Sequence, residues 1–246
     1  MSGSGRRLWW PDLQPAEGEV GDPLVIDSWL LSEGGVRGLH LHEERFRRSC
    51  TAMLPGLHAL ELEQFLAAAR STLPAGGRWF PRLEAYPGGR LALWLRPAPP
   101  PTTEARLWVP PEPDPRRRPE LKGPDLGVLD ALRAEARSHG ADDAVLWAAD
   151  GAVLEAAHAA LLWWRDGVLC APDPGLPTLP SITRSLLLGI AAERAVPVRH
   201  ERIHLRDLDG LQVLAVNALH GVRRVVGWCG TLERQEGRGL WGRSSR

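Results

Sequence analysis

The sequence has one lysine, Lys122, against 29 arginines, and only one tyrosine, two methionines and three phenylalanines in 246 residues. That pattern looks like a mutational bias toward GC-rich codons, under which surface lysines drift to arginine at little cost. Arginine stays protonated under ordinary conditions, whereas a lysine amine can lose its proton and attack a carbonyl. The one retained lysine is therefore a candidate nucleophile, with survival by chance as the alternative. Cysteine is scarce: Cys50, Cys170 and Cys229 are odd in number and far apart, with no CxxC pair. This excludes a disulfide framework and a spaced zinc site, and fits a reducing, cytoplasmic setting. No apolar run reaches about eighteen residues, and the opening "MSGSGRRLWWPDLQ" has no apolar h-region, so neither a membrane span nor a signal peptide is expected. Net charge is absent too, with 30 basic and 30 acidic residues. Nucleic acid is therefore not an expected partner, since it calls for a basic excess. The one dense basic run, Arg116-Arg117-Arg118, sits among prolines and reads as a solvated linker.

What is present suffices for a folded core: 43% of the chain is apolar, close to the average for globular domains. Residues 97–119, "PAPPPTTEARLWVPPEPDPRRRP", are dense in proline, which fixes φ and removes donors. The expected organisation is an N-terminal α+β domain over 1–105, a Pro-rich connector over 106–118 and a C-terminal domain over 119–246. "ARLWV" is the one stretch of the Pro-rich region that could be a strand. In the first half, "PLVIDSWLL" (23–31) reads as a strand, 42–54 and 62–73 as helices, and "RWFPRLEAYPGGRLALWLRPA" as two strands about a Pro-Gly-Gly turn. In the second half, Leu126, Leu129, Leu132 and Ala136 predict a helix over 126–138, with Asp125 as its cap and Gly140 as its stop. Residues 142–172 read as strands broken at Asp150-Gly151 and Asp166-Gly167. A helix over 181–195 and two strands within 207–228 complete a mixed α/β chain with a large antiparallel share.

Four segments, in order, resemble the class IV aminotransferases, enzymes of fold type IV that include branched-chain and D-amino-acid aminotransferases and aminodeoxychorismate lyase. They are "HEERFRRS" (42–49), Lys122 ahead of a helix, "DDAVLWAADGAVLEAAHAALLWWRDGVLCAPD" (142–173) and "LPSITRSLLLGIA" (179–191). "VLAVNALHGVRRV" (213–225) stands where the family has an Asn-Ser-x-x-Gly strand. The resemblance spans roughly residues 24 to 228. It implies a two-domain fold with a small N-terminal α+β domain and a larger C-terminal pseudo-barrel, a pyridoxal 5′-phosphate cofactor, an amino substrate and a homodimer.

Residue by residue, Lys122 matches the family's Schiff-base lysine, which also acts as base toward the substrate Cα proton. Glu155 matches the glutamate facing the cofactor's ring nitrogen. It is the only charge in "AVLEAAHAALLWW", and a buried carboxylate needs a partner. Ser181, Ile182 and Thr183 match the phosphate cup, and a helix N-terminus independently offers free N–H groups and a positive dipole end to an anion. The plainer reading makes Ser181 or Thr183 only a helix cap. Arg45 matches the phosphate-pairing arginine, although Arg47 and Arg48 beside it also allow a solvated helix face. Asn217 and Ala218 match a second phosphate-side turn. No metal is called for. Arg82, Arg96 and Arg223 are candidates for a substrate carboxylate by charge alone. His158, three residues past Glu155, would face the opposite side of a continuous strand and reads as packed or solvated. Trp147, Trp163 and Trp164 read as core or interface residues.

The sequence departs from the family at three useful places. Ser181 stands for the usual glycine and Ala160 for an asparagine. Gly127 stands where branched-chain enzymes keep a tyrosine that bonds the cofactor's ring hydroxyl. The last departure leans toward an aminodeoxychorismate lyase, making 4-aminobenzoate and pyruvate in folate biosynthesis. A small aminotransferase and a catalytically silent scaffold are the alternatives.

Overall fold

A computed structural model describes residues 5–9, 12–15 and 21–230. The outer ends of the expected domains, residues 1–4 and 231–246, lie outside the described residues. The chain forms two compact units: Met1–Pro101 with Leu121–Pro124, and Thr102–Glu120 with Asp125–Arg246. The four-residue stretch carrying Lys122 thus belongs with the first unit, although it lies between segments of the second.

The first unit contains β1 (Gly5–Trp9), β2 (Leu13–Pro15), β3 (Val25–Ser28), β4 (Leu31–Ser32), β5 (Gly35–Val36), α1 (Leu39–Met53), α2 (Ala59–Thr72), β6 (Arg78–Trp79), β7 (Arg82–Ala85) and β8 (Leu91–Leu95). An antiparallel sheet runs β2-β1-β8-β7-β3, and a small one runs β5-β4-β6. The predicted hairpin about Pro87-Gly88-Gly89 is the β7–β8 connection, a 3₁₀ turn in which Gly88 and Gly89 both take positive φ. Phe46 and Cys50 of α1 and Phe65 and Leu66 of α2 are buried with Leu83, Leu91 and Leu93 of the sheet. Helical spacing in the two helices therefore builds this core, as expected from their patterns.

The second unit contains β9 (Glu104–Val109), α3 (Leu126–Ser138), β10 (Asp143–Trp147), β11 (Val153–Ala156), β12 (Ala160–Arg165), β13 (Val168–Pro172), α4 (Ile182–Glu193), β14 (Val198–Glu201), β15 (Gln212–Asn217) and β16 (Gly221–Gly230). Its eight-stranded sheet runs β11-β10-β9-β16-β15-β12-β13-β14. The parallel pairs β9/β10 and β13/β14 have α3 and α4 in their connections, as parallel neighbours require a long crossover. The sheet curls on itself: Ala152, just before β11 at one edge, bridges to His204, just past β14 at the other. Val153 N–H also donates to the Ile203 carbonyl at 2.8 Å. Leu107, Val145, Val153, Leu161, Trp163, Val213 and Ala215 fill the inside, while α4 covers Leu162, Ala171 and Val216 on the outside. This is the pseudo-barrel that the resemblance implied.

"ARLWV" is a strand, as its sequence allowed, and forms part of β9 between β10 and β16. Other expectations need correction. Asp125 stands at the N-cap of α3 but its side chain makes no capping bond. It accepts instead from the N–H groups of Arg117 and Arg118, at 3.1 and 2.8 Å. The run from Glu155 to Trp164 is not one strand, because a turn at Ala157-His158 separates β11 from β12. The alternation argument for His158 fails with it. His158 lies 3.1 Å from Asp130 and 3.4 Å from Asp143. Arg116 is not part of a solvated run either: its side chain is 4% exposed.

Candidate active site

In the first unit, β3 organises two of the candidate residues. The Ile26 N–H donates to the carbonyl of Lys122 at 2.8 Å. Gly123 makes that docking possible. Its φ is +145°, and a Cβ there would meet the Leu24 carbonyl oxygen and stand 2.9 Å from Val25 Cα. Only glycine tolerates both conditions. The next residue of β3, Asp27, is fully buried. Its carboxylate accepts from Arg45 Nε at 2.8 Å and Nη2 at 2.9 Å, and lies 2.7 Å from His42 Nδ1. Burial alone would raise the Asp27 carboxyl, but the Arg45 guanidinium and the His42 bond bring it down to about 2. So Lys122 and Arg45, 77 positions apart in the numbering, hang on adjacent residues of one short strand. Two nitrogens of Arg45 are engaged by Asp27.

Of the arginines considered for a carboxylate, Arg82 pairs with the buried Glu84. Arg96 meets no carboxylate among the described residues. It donates to Phe80 O at 3.1 Å and Ser28 Oγ at 3.4 Å, and its head lies 4.7 Å from the Phe80 ring. Burial, with Arg82 nearby, lowers its pKa to about 10. In the second unit the Arg223 side chain is buried, and its Nε has no hydrogen-bond partner among the described residues.

The second unit brings Glu155 together with the start of α4. Glu155, on β11, is 4% exposed. Its Oε1 accepts from Arg116 Nη1 at 2.7 Å and from the Leu179 N–H at 2.8 Å. Among the described residues Oε2 accepts no hydrogen bond. Burial pushes the carboxyl above its ordinary value, against the pull of Arg116 and the Leu179 N–H. Leu179 leads directly into Ser181, the N-cap of α4, whose hydroxyl accepts from the Arg184 N–H at 3.3 Å. Arg184 also reaches back to Thr178 Oγ1 and Leu179 O, bracing this entry. The N–H groups of Ile182 and Thr183 donate to nothing among the described residues. The serine cap therefore takes the third amide of the turn and leaves the first two for an anion.

Asn217 and Ala218 form the β15–β16 turn. The Asn217 side chain is spent on that turn, accepting from the N–H groups of Leu219 and His220 at 3.1 and 2.8 Å and donating to His158 O at 3.0 Å. Among the described residues, no group of three or more His, Cys, Asp or Glu is arranged to hold a metal, and no helix is long and apolar enough to cross a membrane. Sequence reasoning missed two members of these clusters. Asp27 carries the same signal that marked Glu155, a lone acid in an apolar run. Arg116 carries none, because its proline-rich surroundings look like linker.

Comparison with known proteins adds three findings. The family model for amino-transferase class IV matches residues 24–228. The branched-chain-amino-acid aminotransferase of Escherichia coli is 29% identical over 112 residues, covering 42% of this chain and 36% of that protein. The matched region thus spans about a third of the length of the curated relative. Among solved structures, an aminotransferase from Brucella abortus bound to the cofactor PLP superposes with a TM-score of 0.76 at 19% identity, covering 96% of this chain and 94% of that one. A candidate 4-amino-4-deoxychorismate lyase from Legionella pneumophila superposes with a TM-score of 0.73 at 19% identity, covering 87% and 88%.

Proposed function

The chain belongs to the class IV aminotransferase family, with the fold of the type IV transaminases. From that premise we propose that it is a pyridoxal 5′-phosphate enzyme acting on a small amino substrate, with aminodeoxychorismate lyase chemistry as the first reading. The observation that carries the cofactor assignment is Glu155. It is a buried carboxylate with one oxygen held twice and the other without a partner among the described residues. A protonated ring nitrogen is a partner that such an oxygen can accept. The free N–H groups of Ile182 and Thr183 suit the phosphate for the same reason of unmet demand.

When bound, pyridoxal phosphate supplies an electron sink for negative charge developing at the substrate Cα. Lys122 would take the proton from that carbon, acting as an amine base whose backbone is pinned to β3. Glu155 would place its carboxyl beside the ring nitrogen. Ile182, Thr183 and the positive end of α4 would bind the phosphate, with Ser181 fixing the turn that presents them, and Arg45, which Asp27 orients, is the cation the resemblance assigns to that phosphate. The turn at Asn217-Ala218 stands where the family has a second phosphate-side turn.

Gly127 favours the lyase, because it leaves without a side chain the position where branched-chain relatives carry a tyrosine. Nothing lies within 4 Å of where its Cβ would be. A small aminotransferase is the second reading, favoured by the match to the Escherichia coli enzyme. The two part in their products. The full chain supplied with pyridoxal phosphate and aminodeoxychorismate is expected to release 4-aminobenzoate and pyruvate in equal amounts. No aminobenzoate, together with turnover of an amino acid and keto acid pair, would replace the lyase by the transferase. A cytoplasmic homodimer completes the reading, and light scattering of the purified chain tests the dimer.

A further inference from the structure

We propose that Arg116 is a positioning residue for Glu155, fixing which carboxylate oxygen is offered to a ligand and tying that choice to the entry of α4. The proposal deepens the functional reading above and rests on its assignment of Glu155 to the cofactor's ring nitrogen. Four groups of the second unit form one chain of bonds. Asp114 receives Arg116 Nε at 3.0 Å on each of its oxygens and Arg116 Nη2 at 2.8 Å, and the Arg116 N–H at 3.1 Å. Asp114 is itself anchored to the end of β10, since its N–H donates to Trp147 O at 2.9 Å. Arg116 then presents Nη1 to Glu155 Oε1, and the Leu179 N–H meets that same oxygen.

Two consequences follow from this geometry. First, the guanidinium fork is used on both sides, toward Asp114 and toward Glu155, so its direction is fixed by two anchored carboxylates. With Oε1 held by two donors, the Glu155 side chain cannot rotate without losing both bonds, and Oε2 is the oxygen left to receive a donor. Second, a carboxylate this deeply buried favours its neutral form. The Arg116 charge opposes that, drawing Glu155 toward the ionised form that can hold a protonated ring nitrogen. A lysine in this place would keep the charge but lose the planar fork. The same bonds reach the phosphate end, because Leu179 lies two residues before the Ser181 cap. Arg116 touches neither substrate nor cofactor in this scheme and acts through Glu155.

The test uses the full chain with ¹³C-labelled glutamate. The Glu155 carboxyl resonance, assigned by its loss in Glu155→Gln, is followed against pH without ligand. Arg116→Gln is expected to move its midpoint up by about one pH unit or more, and Arg116→Lys by less. The same proteins are then titrated with pyridoxal phosphate. Arg116→Gln should bind about tenfold more weakly near neutral pH and recover as rising pH ionises Glu155, with partial rescue in Arg116→Lys. An unmoved midpoint, or a loss of affinity equal at every pH and not eased by lysine, would overturn the proposal. If Arg116→Gln does not fold, Arg116→Lys decides: about threefold weaker binding that recovers at high pH is expected, and affinity unchanged from the parent would overturn it. A parent chain that binds no pyridoxal phosphate would remove the functional reading, while the resonance titration would still decide whether Arg116 holds Glu155.

Discussion

Replacing Asp27 by asparagine should be one of the most damaging conservative changes in the first unit. The side chain keeps its size, but an acceptor facing Arg45 becomes an N–H₂ donor. Arg45, 6% exposed, then carries a buried charge with its bidentate partner gone. Breaking a buried pair by removing one partner costs about 3–5 kcal/mol. A loss of about 3 kcal/mol corresponds to a melting shift of about 6–12 °C for a chain of this size. Thermal and urea unfolding followed by tryptophan fluorescence would measure it, with Arg45→Ala and the double variant closing a cycle. A shift below about 2 °C, or additive single losses, would refute the claim that Asp27 and Arg45 stabilise each other.

Other expectations follow from the same contacts. Asp27 has a folded-state pKa below its unfolded one, so its stabilisation is full above pH ~4 and is lost as pH falls from ~4 toward 2. That part of the acid unfolding limb should vanish in Asp27→Asn. Glu155 is shifted the other way, so its contribution weakens as pH rises above the ordinary glutamate range, and a difference pH titration of Glu155→Gln stability should show that opposite slope. Gly123→Ala should cost about 3 kcal/mol or more through its positive φ and the Leu24–Val25 backbone, and an unfolding midpoint equal to the parent's would contradict the close docking of Lys122 on β3. Glu155→Gln should lower kcat about a hundredfold or more while the cofactor still binds, and an unchanged kcat would remove Glu155 from the chemistry.

The parts of the fold that were legible in the sequence are those written locally. The α3 span came from its leucine spacing, α4 from a serine cap ahead of an apolar run, and two hairpin turns from Asp-Gly pairs. Asp166 and Gly167 indeed both take positive φ. The candidate site was legible where an ordered set of short motifs carried it. What stayed hidden depends on distant partners. Arg116 meets Glu155 across 39 positions and Arg45 meets Asp27 across 18, so neither pair has a local signature. Asp125 looked like a cap because caps are a local pattern, whereas its carboxylate serves amides eight and seven positions upstream. The placement of Leu121–Pro124 with the first unit follows from one strand-edge bond and one glycine, which no periodicity reports.

The central claim is that Lys122 is the amine to which pyridoxal phosphate attaches, and its being the only lysine makes the test direct. The protein is mixed with pyridoxal phosphate, its visible absorption recorded, the adduct reduced with borohydride and the modified peptide mapped. A visible band, label on the peptide containing Lys122 and loss of both in Lys122→Ala are predicted. A colourless parent, or the same band in Lys122→Ala, would contradict the account.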